Sequence, residues 1–331
     1  MNELDPSHLL ITGASSGIGF EAAKALAREG HRLTLPCRTQ SRCEQTLKQL
    51  VQAGADPDRL DVPVVDLSDL DSVELGCQTW LSKADPIDAL VLNAGLQRAG
   101  TKQPAFSNQG IELTFAVNHL AHQWMAMRLL PLLQIKAQSR IVITASDVHN
   151  PGAGGGRVGQ PAGLGDMDGL KQGAGFEMVD GGSRFDADKA YKDSKLCNVL
   201  MARELARQLQ SGGRPLPVIA WSPGLVIPKS PEGFFRTSRQ ENPIGLAMFS
   251  FVARDLLRLT ESTSTAGRLL SALATEQTFA QPGFAYFSNH LIGPGRHRFE
   301  PTDTSAEGND AAKAEQLWRL SNELMTQTCQ A

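Results

Sequence analysis

The sequence predicts an α/β fold in which a doubly wound, Rossmann-type parallel sheet of about seven strands is flanked by helices. Three observations support this prediction. Short apolar runs alternate with amphipathic stretches over the first two-thirds of the chain, runs such as "HLLIT" are continuously apolar, and a glycine-rich turn follows that first run. Strands buried on both faces and joined by helices produce this pattern. The 331 residues are therefore expected to form a single domain.

The elements follow one another in a regular order. The first helix starts at Gly17 and stops before Gly30, and Pro36 is expected at the end of the second strand because proline is excluded from central strands. The predicted elements are strand 8–12, helix 17–29, strand 32–37, helix 41–52, strand "DVPVVDL", helix 69–82, strand "IDALVLNAG", a helix near 110–134, strand "RIVITAS", the helix that carries Tyr191, strand "LPVIAWSPG", helices 244–259 and 262–274, strand "GFAYFS" and a helix near 309–326.

Composition excludes several classes of function. The net charge of −3 gives no reason to expect a nucleic-acid partner. The five cysteines are scattered, odd in number and without a C-x-x-C pair, which is typical of a reduced cytoplasm and not of a disulfide framework or a zinc site. No signal peptide is recognised, and no apolar run approaches the ~18 residues of a membrane span. A cytoplasmic protein is expected.

A segment rich in Gly, Asp and Pro interrupts the alternation between residues 147 and 188. A loop of this length inside a domain is usually functional or disordered. Because it leads directly into Tyr191, we interpret it as an insertion that forms a wall of the active site, with an excursion on the surface as the alternative. The region 229–331 is expected to supply a substrate lid and the C-terminal helices.

The turn "TGASSGIG" lies between the first strand and the first helix. Glycines there let the backbone turn sharply and approach a pyrophosphate, which the helix N-terminus then stabilises. The spacing is G-x-x-x-G-x-G, and the context of strand, turn and helix favours a dinucleotide site over a purely structural turn. The predicted contacts are Gly13, Ser15, Ser16, Gly17, Ile18 and Gly19.

Residues after the second, third and fourth strands are expected to contact the cofactor and to decide between NAD and NADP. The second strand ends with Arg38 and no carboxylate, so NADP with its 2′-phosphate is favoured over NAD. Asp66 is placed to meet the adenine amine, and Asn93, Ala94 and Gly95 let the chain pass close to the cofactor; ordinary turn chemistry is the alternative for both.

Tyr191 and Lys195 are four residues apart and share one helix face. A free phenol has a pKa of ~10, and a neighbouring ammonium is expected to lower it. Lys195 can also bind the nicotinamide ribose. This pair predicts a proton donor or acceptor beside a hydride carrier.

Two polar residues lie nearby in the predicted fold. Ser146 ends the fifth strand, where its hydroxyl can hold a substrate oxygen or cap a turn. Asn118 lies inside the long helix, where its amide can hold a water next to Lys195 or simply be satisfied internally.

Taken together, T-G-x-x-x-G-x-G, N-A-G, Asn118, Ser146 and Y-x-x-x-K resemble the short-chain dehydrogenase/reductase superfamily over residues 8 to about 290. The resemblance implies an NAD(P)-binding Rossmann domain and a tetrad of Asn118, Ser146, Tyr191 and Lys195. It also implies that Pro223 and Gly224, after the sixth strand, contact cofactor or substrate.

The segments "GLGDMDGL", "MVDGG", "FDADKAYKDSKLCNVL" and "AAKAEQLWRLSNEL" are similar to the light-dependent protochlorophyllide oxidoreductase family. That family implies hydride from NADPH and a proton from Tyr191 to the C17=C18 double bond, and hence chlorophyll biosynthesis and photosynthesis. The chain departs from the family pattern at Ser146 (usually Thr), at Leu96 and Gln97 (usually a Tyr nearby) and at Leu225 (usually Cys).

Three functions stay open at this point: reduction of a large apolar substrate such as protochlorophyllide, light-independent carbonyl reduction of the retinol-dehydrogenase type, and non-catalytic binding of NADP or pigment. His119 and His122 are interpreted as packing or surface residues and not as metal ligands, because a matching acid or a third His is missing. The amphipathic stretch 242–259 is interpreted as lid or core, with a membrane or partner surface as a weaker alternative. A homo-oligomer is compatible with the sequence.

Overall fold

The computed structural model describes residues 6–134, 136, 139–227 and 233–328. Within them one sheet has the order β3-β2-β1-β4-β5-β6-β7-β8, parallel except for the antiparallel pair β7 and β8. The strands are β1 (His8–Ile11), β2 (Arg32–Thr34), β3 (Leu60–Asp61), β4 (Ala89–Leu92), β5 (Arg140–Thr144), β6 (Pro217–Ser222), β7 (Gly283–Gly293) and β8 (Arg296–Pro301). The predicted Rossmann-type α/β fold is confirmed.

The sheet has eight strands and not about seven. The strand that the sequence does not reveal is β8, which reads "RHRFEP" and has no fully buried residue. It is an antiparallel edge strand formed by a hairpin with β7, so its backbone pairing and not an apolar pattern places it there.

Helices cover both faces of the sheet. In chain order they are α1 (Gly17–Arg28), α2 (Gln40–Gln52), α3 (Leu70–Lys83), α4 (Leu113–Phe115), α5 (Ala121–Leu129), α6 (Asp168–Lys171), α7 (Ala187–Ser211), α8 (Arg236–Glu241), α9 (Pro243–Ser250), α10 (Thr263–Thr275) and α11 (Ala311–Thr328). None of the helices in the described part of the chain combines the length and the apolar character needed to cross a bilayer.

Successive strand residues supply two separate cores. Leu9 and Ile11 of β1 pack with α1 and α10, whereas Leu10 packs with the face that holds α3, α5, α7 and α11. Because side chains alternate across a strand, a continuous apolar run fills both cores at once. This explains why the central strands carry no polar face.

A π-helical turn, Ala116–Leu120, joins α4 to α5 in the predicted long helix. π turns inside helices are frequent at functional sites. Asn118 lies in this turn and is fully buried. The helix thus departs from regular geometry at the residue proposed for the tetrad.

The C-terminal helix α11 lies on α5 and α7. The Gln123 amide donates to the Trp318 carbonyl at 3.2 Å and to Asn322 Oδ1 at 2.8 Å. Gln123 is fully buried as a result. The chain's own C-terminal segment therefore covers this face of the two long helices.

Candidate active site

The predicted site residues meet at the carboxyl edge of the sheet. The glycine turn follows β1, Asn93–Gly95 follow β4, Ser146 follows β5, and Pro223 and Gly224 follow β6. Open α/β sheets bind ligands at this edge.

The glycine turn lies directly against the segment after β4. Gly13 has φ of +71°, and a Cβ there would be 2.7 Å from the Ala94 Cα. A Cβ on Gly19 would be 2.4 Å from the Gly13 carbonyl oxygen and 2.6 Å from Asn93 Nδ2. The turn is therefore as tight as a backbone approach to a pyrophosphate requires.

Hydroxyl groups in the turn are available to a ligand. Ser16 is the N-cap of α1, but its side chain makes no capping hydrogen bond. Ser15, Ser16 and Ile18 are all partly exposed. The start of α1 therefore presents backbone N–H groups and an uncommitted hydroxyl, which suits a phosphate.

Thr12 holds this turn to β4 and was not identified from the sequence. Its Oγ1 accepts from the Asn93 N–H at 2.9 Å and from the Ala94 N–H at 3.0 Å. The Asn93 amide in turn donates to the Thr12 carbonyl at 3.1 Å and accepts from Thr144 Oγ1 at 3.1 Å. Asn93 thus links the ends of three strands. In the sequence, the threonine directly before Gly13 was the one feature that could have indicated this role of Thr12.

Arg38 and Asp66, the residues predicted to contact the adenosine half of the cofactor, follow β2 and β3 in the chain. Arg38 is exposed at the carboxyl end of β2, next to Thr39, which caps α2. One carboxylate oxygen of Asp66 accepts from the Ser68 N–H and hydroxyl at 2.9 and 2.7 Å. Asp66 therefore performs turn chemistry with one oxygen and has a second oxygen for a ligand.

Replacing Arg38 by alanine should weaken NADPH binding about 10- to 100-fold, the range expected for lost charge-assisted hydrogen bonds to a phosphate. NADH binding should change little, because NADH has no 2′-phosphate. Fluorescence titration of both nucleotides measures this ratio. Arg59→Ala is the matched control, since Arg59 pairs with Asp56 and the Gly30 carbonyl. Equal losses for NADPH and NADH would contradict the assignment.

Tyr191 and Lys195 lie on the buried face of α7. Lys195 Nζ donates to the Thr144 carbonyl at 3.0 Å and lies 5.7 Å from the centre of the Tyr191 ring. Burial raises the pKa of Tyr191 well above its usual value, and a hydrogen bond with Ser146 opposes this rise only in part. Burial lowers the pKa of Lys195 to about 7.

The prediction that Lys195 lowers the pKa of Tyr191 is wrong for the chain described here. Lys195 is buried and Tyr191 is half-buried, and desolvation penalises the phenolate and the ammonium alike. The protonated phenol is therefore the stable form. A protonated phenol can donate a proton, which is the direction that reduction of a substrate needs.

The other two tetrad residues are already engaged with the protein. Asn118 accepts from the Leu96 N–H at 2.8 Å and donates to the Leu96 carbonyl and to Ser194 Oγ, both at 3.0 Å. Both amide hydrogens are used, so the amide is satisfied internally, which was the alternative to holding a water. Ser146 caps the turn Asp147–His149, accepting from the Val148 N–H at 3.5 Å, and also reaches Tyr191.

Gly95 separates Asn118 from Lys195. A Cβ there would lie 3.4 Å from both Asn118 Oδ1 and Lys195 Nζ. After β6, two strands away in the sheet, Gly224 has φ of +77°, and the Pro223 carbonyl accepts from Asn289 Nδ2 at 3.3 Å. Glycines at positions 95 and 224 therefore let both segments approach the site with their backbones.

Residues 233–257, part of the region for which the sequence predicts a substrate lid and which is called the lid segment below, contact the site at its start. Phe234 packs edge-on against the Tyr191 ring, with ring centroids 5.4 Å apart. A Cβ on Gly233 would be 2.4 Å from Ser16 Oγ. The segment thus contacts both the glycine turn, which is called the cofactor turn below, and Tyr191. The predicted lid boundary at 229 lies outside the described residues.

Simple core packing is excluded for α9, since none of its residues is buried and Ile244 is 81% exposed. Most apolar side chains of this helix face solvent, whereas Leu246 is half-buried against the small cluster of Ile227, Phe235 and Ala253. Its sequence pattern therefore belongs to a lid or to a surface for a partner, and not to the core.

Lysines of α7 fasten the insertion 147–188. Lys192 is buried and donates to the carbonyls of Gly156, Val158 and Gln160. Lys189 donates to the Gly163 carbonyl at 2.8 Å and pairs with Asp193 at 2.5 Å. The insertion therefore lies against the helix that carries Tyr191.

His119 and His122 are both fully buried and point to different partners. His119 Nε2 lies 3.2 Å from Ser321 Oγ, and His122 Nε2 lies 3.0 Å from Thr12 Oγ1. Burial lowers the pKa of each to about 3. Among the described residues no group of three or more His, Cys, Asp or Glu is arranged to hold a metal ion.

Comparison with known proteins places this site in a family. The sequence model for short chain dehydrogenases matches residues 7–157. A protochlorophyllide reductase of Avena sativa is 32% identical over 324 residues, covering 96% of this chain and 99% of that protein. The chain belongs to the short-chain dehydrogenase/reductase family. A second relative, protochlorophyllide reductase A of Arabidopsis thaliana, is 30% identical over 329 residues, covering 97% of this chain and 77% of the relative.

Solved structures agree on the fold of this short-chain dehydrogenase/reductase. An uncharacterized protein from Mycobacterium Paratuberculosis is 26% identical, with a TM-score of 0.67 and coverage of 97% of this chain and 93% of that one. L-sorbose reductase from Gluconobacter frateurii is 17% identical, with a TM-score of 0.59 and coverage of 88% and 98%.

The protein is an NADP-dependent oxidoreductase of this family. Its residues fit the cofactor. The turn at Gly13 and Gly19 leaves room for backbone contact with phosphates, and position 38 carries an arginine and not an acidic residue that would repel a 2′-phosphate. NADPH, when bound, would supply a hydride, and the residues of this edge of the sheet would hold it in position.

Proposed function

We propose that the protein reduces the C17=C18 double bond of protochlorophyllide with a hydride from NADPH and a proton from Tyr191. The observation that carries this proposal is the likeness of nearly the whole chain, 324 residues, to protochlorophyllide reductases. A likeness of that extent includes the insertion 147–188 and α11. On this proposal the protein acts in chlorophyll biosynthesis and hence in photosynthesis.

The proposed roles follow from the geometry. Tyr191 donates its proton to the substrate carbon, because its pKa is raised and the phenol is protonated at neutral pH. Lys195 restores that proton, since its own pKa of about 7 lets it gain or lose a proton near neutrality. Ser146 orients the phenol, and Phe234 with the lid segment keeps water from it.

The test is one assay with purified protein, NADPH and protochlorophyllide, followed by absorbance in light and in darkness. We expect loss of the protochlorophyllide band and consumption of NADPH under illumination only. The control is the same mixture without NADPH, which corrects for photobleaching. Illumination without NADPH-dependent change would exclude the pigment as substrate.

A second function is supported by a specific observation. Ser146 lies close enough to Tyr191 to lower the pKa of its phenol, and a Ser–Tyr pair of this kind suits the oxygen of a carbonyl substrate. A light-independent reductase of apolar aldehydes or ketones would consume NADPH in darkness and leave the pigment unchanged. The dark arm of the assay, repeated with retinal as substrate, decides between the two.

We also propose two properties of the surface. The exposed side chains of α9, among them Ile244 and Met248, suit peripheral contact with a membrane. Self-association as a homo-oligomer would use a face other than that of α5, because Gln123 there is buried under α11.

A further inference from the structure

His122 belongs to neither the cofactor turn nor the tetrad, yet it touches both. It is fully buried on α5, one turn after Asn118. Its Nδ1 lies 3.0 Å from the Asn118 carbonyl oxygen, and its Nε2 lies 3.0 Å from Thr12 Oγ1. One imidazole ring therefore spans the distance between the helix residue and the end of β1.

The direction of each hydrogen bond follows from the chemistry of the partners. A carbonyl oxygen only accepts, so Nδ1 must carry the hydrogen. Burial, with a smaller contribution from the charge of Lys195, lowers the pKa of His122 to about 3. The ring is therefore neutral, Nε2 has no hydrogen, and the Thr12 hydroxyl donates to it.

This assignment fills the hydrogen-bonding capacity of Thr12. Its one hydroxyl hydrogen goes to His122, and its oxygen accepts from the N–H groups of Asn93 and Ala94. With another orientation of the hydroxyl, the acceptor would be the Val91 carbonyl at 3.5 Å, a weaker contact. The imidazole thus fixes the hydroxyl so that its lone pairs face the segment after β4.

We propose that His122 is a positioning residue that joins the tetrad residue Asn118 and the cofactor turn at Thr12 into one hydrogen-bonded unit. The inference rests on the tetrad role proposed for Asn118. Asn118 in turn holds Leu96 through two backbone contacts, at 2.8 and 3.0 Å. Segment 93–96, at the end of β4, is consequently hydrogen-bonded to Thr12 on one side and to Asn118 on the other. His122 bonds to both of these residues.

Three substitutions separate the two halves of this unit. Asparagine places an amide near the position of Nδ1, so His122→Asn keeps a donor for the Asn118 carbonyl and loses the contact with Thr12. Glutamine places its amide near Nε2, so His122→Gln keeps an acceptor for Thr12 and loses the contact with Asn118. His122→Phe keeps the ring and loses both contacts. His31→Asn is the control, because His31 is buried and bonded to the Ser7 N–H.

The first measurement is the NADPH dissociation constant, by fluorescence titration without substrate. We expect His122→Asn and His122→Phe to weaken NADPH binding about tenfold, the usual effect of one lost buried hydrogen bond, and His122→Gln and His31→Asn to stay within about threefold. The second measurement is the solvent deuterium isotope effect on turnover at saturating NADPH. This isotope effect should increase for His122→Gln and His122→Phe, which lose the contact with Asn118. It should stay unchanged for His122→Asn, which keeps that contact.

Two results would overturn the inference: unchanged NADPH affinity and isotope effect in His122→Phe, or losses in all three variants that simply follow their melting temperatures. If His122→Phe does not fold, the opposite behaviour of the Asn and Gln variants still decides. Failure of the proposed function looks different. In that case wild-type protein does not reduce the pigment, whereas the NADPH titrations still order the variants.

Discussion

Replacing Tyr191 by phenylalanine is expected to reduce turnover by about 10²- to 10⁴-fold, the usual contribution of a positioned acid. The substitution removes the proton and keeps the ring that packs against Phe234 at 5.4 Å. NADPH affinity should change less than about threefold, because one neutral hydroxyl contributes little to the binding of a large cofactor. Steady-state turnover and fluorescence titration measure the two quantities on the same protein.

Tyr286→Phe is the matched control for this experiment. Tyr286 is the other tyrosine of the chain, and its hydroxyl donates to Asp147 at 2.9 Å. Its loss should lower the free energy of unfolding by about 1 kcal/mol and reduce turnover far less than Tyr191→Phe. Should Tyr191→Phe keep wild-type turnover, the proton must come from another group.

Replacing Gly19 by alanine is expected to abolish measurable NADPH binding, with a loss of more than about 100-fold. The added Cβ would be 2.4 Å from the Gly13 carbonyl oxygen and 2.6 Å from Asn93 Nδ2. A backbone oxygen cannot rotate away, so the turn must open, and overpacking of this kind costs about 1–3 kcal/mol of stability. The opened turn no longer presents its N–H groups to the pyrophosphate.

Fluorescence titration and thermal unfolding together test this expectation. Gly154→Ala is the matched control, since a Cβ there meets nothing within 4 Å. That variant should bind NADPH like the wild type. NADPH affinity within about threefold of wild type in Gly19→Ala would place the pyrophosphate elsewhere.

Local patterns in the sequence predicted much of the fold. Apolar runs and helical periodicity gave the parallel sheet and the order of its elements, because each depends on residues close in the chain. The edge strand β8 escaped prediction because its residues are polar and its position comes from pairing with β7. The π turn at Asn118 depends on contacts with distant segments, which no local pattern reports.

In the candidate site too, local spacing predicted some residues, whereas others depend on contacts between distant parts of the chain. Gly13, Tyr191 and Lys195 were found because their spacing is itself the signal. The direction of the Tyr191 pKa was wrong, since the amount of water lost depends on the lid segment and on the body of the fold. No hydrogen bond between Thr12 and His122 could be predicted, because the two residues are 110 positions apart in the chain. Predicting it requires the tertiary contacts.

The fastening of the insertion by Lys189 and Lys192 has a consequence for divergence among relatives. Most acceptors on the insertion are backbone carbonyls, at Gly156, Gln160 and Gly163 among others, and Asp180 adds a side-chain ion pair with Lys189 at 3.0 Å. Every type of residue carries a carbonyl oxygen, so these acceptors do not themselves depend on the type of side chain. On the proposed function, side chains of the insertion can therefore differ among relatives while the helix that carries Tyr191 keeps the insertion attached.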